Sequence, residues 1–129
     1  MMLLLLLFAK LVIAQRNVIS KSELDSLPFI VVDKMPEFPG GNDSLLKFIG
    51  QNLRYPAIKM DDPEGIVWVK FIVERNGKIS NAEIERGLGE YYDKEVLRLV
   101  NSMPLWTVGE KNNVAVRTVN VLPVQFTLR

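Results

Sequence analysis

Residues 114–128, VAVRTVNVLPVQFTL, alternate with a period of two. Val114, Val116, Thr118, Asn120, Leu122, Val124, Phe126 and Leu128 fall on one face, and Ala115, Arg117, Val119, Val121, Pro123, Gln125 and Thr127 on the other. That period, rich in β-branched residues, predicts one long half-buried strand. Pro123 has no N–H to give to a neighbour, so the strand is expected at a sheet edge. An edge leaves a row of peptide groups open to another chain. The rest of the sequence has to supply its pairing partner and a covering layer.

The partner comes from a hairpin. Residues 66–74 (IVWVKFIVE) are apolar on both faces through most of their length, which predicts a strand covered on both sides. Asn76-Gly77 follows and offers the positive-φ residues of a tight turn. In the return strand Ile79 is out of phase with Ala82 and Ile84, which places a bulge near Ser80-Asn81 before Gly87 and Gly89 close the strand.

Two helices supply the layer. Asn42-Asp43-Ser44 reads as a helix cap ahead of Leu45, Phe48, Ile49 and Leu53, and Tyr55-Pro56 ends that helix. Tyr92, Val96, Leu99, Val100 and Met103 form the apolar stripe of the second, which Pro104 stops. Gly109 through Asn113 reads as a polar turn into the final strand. Phe29-Ile30-Val31-Val32-Asp33 fits an extra short strand at the front. The expected fold is α+β in the order α-β-β-α-β, with both helices on one face of a three-stranded, mainly antiparallel sheet.

The chain has 129 residues with 48% hydrophobic composition, enough for one core without staples. It has no Cys and no His, which removes thiolate metal sites and the usual general base near neutral pH. The apolar opening MMLLLLLFAKLVIA predicts a secretory signal over residues 1–14, cut after Ala14. As a helix it would reach about 21 Å, short of a hydrocarbon core of about 30 Å. Without it the chain carries 15 basic residues, one fewer than the full count of 16, against 15 acidic. That balance gives no electrostatic case for nucleic acid. Residues 15–27 read as a short tether reaching about 45 Å at most, and residues 28–129 as the folded domain.

Other chemistry is poorly supported. Asp61, Asp62 and Glu64 lack calcium-loop spacing and read as a solvated turn. Gly87-Leu88-Gly89 lacks the third glycine of a dinucleotide fingerprint. Glu83 and Glu85 read as a solvated strand face. Trp68 and Trp106 are expected in the core, the alternative being a ligand pocket. No enzyme and no cofactor is expected.

Several ordered stretches together resemble the TonB carboxy-terminal domain family. They are Met35-Pro36-Glu37-Phe38-Pro39-Gly40-Gly41, Arg54-Tyr55-Pro56, the Gly65-x-Val67-x-Val69-x-Phe71-x-Val73 strand with Asn76-Gly77-Lys78-Ile79, Ser102-Met103-Pro104-x-Trp106, and Leu122-Pro123-x-x-Phe126-x-Leu128. The resemblance implies a periplasmic module that binds the TonB box of outer-membrane transporters by strand addition. It places contacts at Gln51, Asn52, Leu53, Arg54, Tyr55 and Pro56, and along the last strand at Arg117, Thr118, Val119, Asn120, Val121, Leu122, Val124, Gln125 and Phe126. If Pro123 faces the partner, the ladder covers only part of the strand; if it faces residues 79–86, the free edge is complete.

The chain departs from the family pattern at Trp106-Thr107-Val108-Gly109, at Asn120, and in having a cleavable first segment with a short tether. The expected protein is therefore exported, and is anchored at the inner membrane, within reach of a proton-driven motor complex, only if that segment is retained. The alternative is a free-standing envelope adaptor or homodimerisation module that does not transduce energy.

Overall fold

The final strand is shorter than its sequence period and lies beside a different neighbour from the return strand of the hairpin. In the computed structural model, which describes residues 27–29, 31–55 and 64–127, the elements are α1 (Asn42–Asn52), β1 (Gly65–Val73), β2 (Ile79–Arg86), α2 (Glu90–Asn101), β3 (Gly109–Lys111), β4 (Val114–Val116) and β5 (Thr118–Phe126). The sheet order is β2-β1-β5, antiparallel throughout, with β3 and β4 as a separate hairpin. This is the expected α+β arrangement of two helices and a three-stranded sheet. The expected signal over 1–14, nearly all of the tether, Pro56, Asp61, Asp62 and Leu128 lie outside the described residues.

The continuous strand expected over residues 114–128 is divided at Arg117. Asn112 and Asn113 both take positive φ, 52° and 61°, which makes the two-residue loop of a hairpin between β3 and β4. The expected polar turn is thus a hairpin, and it folds back before β5 joins the main sheet. β5 then pairs with β1 without a register break, from Val73↔Thr118 to Gly65↔Phe126.

β1 is central in the sheet but is covered by helices on one face only. Val67, Val69, Phe71 and Val73 are each 0% exposed, whereas Trp68 on the opposite face is 36% exposed. The expectation of cover on both faces fails, and so does a core position for Trp68. The apolar residues of the outer face gain lateral cover instead: Ile72 lies opposite Val119 and Trp68 opposite Pro123. Trp106 is buried as expected, edge-on to Phe38 and Phe71 at 5.9 and 5.3 Å between ring centroids.

Local chemistry fixes the junctions. Phe38-Pro39-Gly40-Gly41 makes a turn closed by the Gly41 N–H to Phe38 carbonyl bond (2.8 Å), with Gly40 at φ 87°. That turn aims Phe38 into the core beside Phe48. α1 begins at Asn42 with Gly41 as its cap and no side-chain capping bond, so the helix start was legible but its cap was not. In the turn between β1 and β2 Gly77 takes positive φ (85°) and Asn76 does not, while Asn76 accepts the Lys78 N–H through Oδ1 at 3.0 Å. A Cβ at Gly77 would collide with the Trp106 carbonyl, and the Gly77 carbonyl accepts the Trp106 N–H at 2.9 Å. The expected bulge is present: Lys70 pairs with Glu83 but Ile72 with Ser80, and Asn81 takes φ 50°.

These faces make a direct contrast. Phe71→Ala should cost about 3–5 kcal/mol and Trp68→Ala under about 1 kcal/mol, measured as denaturant midpoints with unchanged slope.

Candidate functional site

A strand aims the N–H and C=O of successive residues at opposite neighbours. Parity along β5 therefore decides what its edge can offer. The Val119 N–H donates to the Phe29 carbonyl at 2.9 Å and the Phe29 N–H to the Arg117 carbonyl at 2.7 Å, a parallel bridge on the side of β5 away from β1. Residues of the same parity, Val121, Pro123 and Gln125, also face outward. Their alternates Asn120, Leu122, Val124 and Phe126 face β1. β5 ends the sheet order, and among the described residues no strand pairs with its outer edge from Val121 to Gln125.

Pro123 thus faces the outer edge, and its missing N–H costs the β1–β5 ladder nothing. From Val121 to Gln125 the outward donors are the Val121 and Gln125 N–H groups, and the outward acceptors are the carbonyls of Val121, Pro123 and Gln125. The far end is closed by Tyr55, whose hydroxyl accepts the Thr127 N–H at 3.3 Å. The Tyr55 ring meets Phe126 edge-on at 5.5 Å, and Tyr92 meets Phe126 from another side at 5.0 Å.

Of the first expected contact stretch, Tyr55 is the residue that meets the end of β5. Gln51 and Asn52 lie exposed in the last turn of α1, Leu53 packs on the core margin, and Arg54 is exposed. Their backbone is held from α2. The Arg54 N–H donates to Glu95 Oε2 at 2.5 Å, and Arg98 donates to the Asn52 carbonyl at 2.8 Å and to both Glu95 oxygens. Burial alone would raise the Glu95 carboxyl, but the bonds from Arg98 and Arg54 outweigh it and hold it below its ordinary 4.5.

The other expected contact residues divide by role. Thr118, Leu122, Val124 and Phe126 are buried, with their side chains in the fold. Asn120 lies opposite Phe71. Arg117 spends its carbonyl on Phe29 and its guanidinium on Glu74, with Nε to Oε1 at 2.6 Å. Those bonds hold the Glu74 carboxyl below its usual range. Val121 is 48% exposed and Gln125 is exposed, so these present both backbone and side chain. Sequence reasoning left Pro123 and Phe29 out of the contact set. The parity of Pro123 was a signal available in the alternation; the Phe29 bridge is made by main-chain atoms and leaves no side-chain signature.

On the outer sheet face a hollow lined by Trp68, Glu85, Arg86 and Val121 lies beside this edge. Glu83 and Glu85 are not merely solvated: they hold Lys70 at 2.8 and 3.0 Å and keep its ammonium above the ordinary lysine range, the hydrogen bond that Lys70 donates to Glu83 contributing most.

The Glu95 clamp has a pH signature. Its folded pKa is depressed, so its stabilisation is present above about pH 4.5 and disappears as pH falls through the folded value. Glu95→Gln should cost about 1–2 kcal/mol at neutral pH, the lower range because Arg98 is partly exposed. Acid titration of stability by circular dichroism should fall less steeply in the variant than in the parent.

The profile of the family described as Gram-negative bacterial TonB protein C-terminal matches residues 51–128, which span β1 to β5, α2 and the Leu53–Tyr55 segment. No curated protein and no solved structure matches the chain. The family is a non-enzymatic protein-interaction domain of the cell envelope that generally engages outer-membrane TonB-dependent transporters. Among the described residues no helix is long and apolar enough to cross a membrane. With well over half of its length matched, and with the whole three-stranded sheet inside the match, this chain belongs to the TonB C-terminal domain family.

Proposed function

We propose that the domain binds the TonB box of an outer-membrane transporter as an added strand on the outer edge of β5, within the periplasm. The observation that carries this reading is the outer edge of Val121, Pro123 and Gln125, which no strand pairs among the described residues, beside an unbroken β1–β5 ladder. Strand addition draws affinity from backbone bonds and asks little of side-chain identity, which suits repeated attachment and release. Tyr55 stands at the end of the same edge, and Gln51, Asn52, Leu53 and Arg54 precede it and Pro56 follows it in the chain. Under this reading they meet the segment where it leaves β5.

The N-terminal segment decides what binding accomplishes. Retained, it anchors the chain at the inner membrane, where a proton-driven motor could act through it. Cleaved after Ala14, it leaves a periplasmic adaptor. Cleavage is our reading, and the intact mass of the exported protein should correspond to a chain beginning at Gln15.

Binding should be weak. A handful of backbone bonds at a net of about 1 kcal/mol each gives dissociation constants between about 0.1 and 1 mM. Titrating the isotopically labelled protein with a TonB-box peptide should move amide resonances of β5 and of residues 51–55. An unperturbed spectrum at millimolar peptide would remove this reading. Concentration-dependent shifts of β5 without peptide would instead favour self-association through the same edge.

A further inference from the structure

The chain itself closes both ends of the outer β5 edge. At the start, the Phe29 carbonyl accepts the Val119 N–H, and the Phe29 N–H is bound to the Arg117 carbonyl. Lys111 Nζ stands 5.8 Å from the centre of the Phe29 ring. At the finish, the Thr127 N–H is taken by the Tyr55 hydroxyl. Between these stops the edge runs from Val121 to Gln125, and Pro123 removes the donor at its centre.

We infer that the partner strand occupies only this window, pairing along about five residues and roughly 14 Å at ~3.4 Å per residue, with Pro123 holding it in one register. This rests on the strand-addition reading above and goes beyond it by setting the length and the amide pattern of the segment that fits. The partner must offer N–H groups to the carbonyls of Val121, Pro123 and Gln125, so a proline at any of those facing positions is excluded. At the intervening positions a missing N–H costs nothing. A shift by one residue would aim the wrong peptide groups at the edge. A shift by two would push part of the ladder onto Phe29 or Tyr55. Phe29 is the residue that sets the near limit, and it acts through its main chain.

A TonB-box peptide carrying single backbone N-methyl groups tests this in titrations of the full chain. Methylation of the amides facing the Val121, Pro123 and Gln125 carbonyls should weaken binding at least about five-fold each, and methylation of the amides between them should leave it unchanged. Phe29→Pro, which removes the donor to the Arg117 carbonyl, should leave that acceptor open and extend the sensitive run past Val121 toward Arg117. Pro123→Ala, which restores an outward donor, should tighten the parent peptide about five-fold.

A sensitive run in the parent protein that extends past the window, or an unaltered run in Phe29→Pro, overturns the window and leaves strand addition standing. Binding that is insensitive to every methyl group, or no binding of the parent peptide, overturns both. Heteronuclear spectra of the two variants confirm that each keeps the native fold.

Discussion

Each residue of a strand sends both of its peptide groups to one side, and β1 can satisfy only one side of β5. From Val73↔Thr118 to Gly65↔Phe126 the register is unbroken, so every second residue of β5 is committed to β1. The remaining residues must face Phe29, Tyr55 or whatever lies outside. That division creates the candidate site. It also explains how Pro123 is tolerated inside a strand whose neighbouring residues pack in the core: its ring nitrogen replaces a donor that β1 never uses.

The core exists on one side of the sheet only, and this keeps the edge stiff. Val67, Val69, Phe71 and Val73 of β1 and Leu122, Val124 and Phe126 of β5 pack against residues of both helices. Phe126 sits between Tyr55 and Tyr92, so the end of β5 is fixed by aromatic contacts as well as by the ladder. Glu95 and Arg98 then tie α2 to the Asn52–Arg54 backbone. Glu95 is worth its burial because three hydrogen bonds, one from Arg54 and two from Arg98, meet it; alone, a carboxylate with a side chain 6% exposed would be costly. At the other end Arg117 and Ser80 converge on Glu74, fastening the β1–β2 turn to the start of β5.

The element order was legible because period carries it. The spacing of Tyr92, Val96, Leu99 and Val100 named a helix face, and the phase slip after Ile79 named a bulge, both of which the fold contains. Adjacency was less legible, since no period says which strands touch; β5 joined β1, leaving β2 on the far side. Asn112-Asn113 read as a generic polar turn because asparagine tolerates positive φ without demanding it. Trp68 misled because an apolar residue on an open sheet face can be covered sideways by Pro123 and Val121 without entering the core. The candidate contact stretches were found through resemblance, but which of their residues face outward followed only from the hydrogen bonds of Val119 and Thr127.

Alternation along β5 decides which peptide groups stay open, and amide hydrogen exchange of the free protein reads it residue by residue. Protection should be high at Asn120, Leu122, Val124 and Phe126, intermediate at Val119 under Phe29, and low at Val121 and Gln125. Uniform protection across β5 would mean that the outer edge is already occupied. Protection at Val121 and Gln125 with loss at their neighbours would mean that the strand faces the other way, and either result would contradict the open edge on which the binding reading rests.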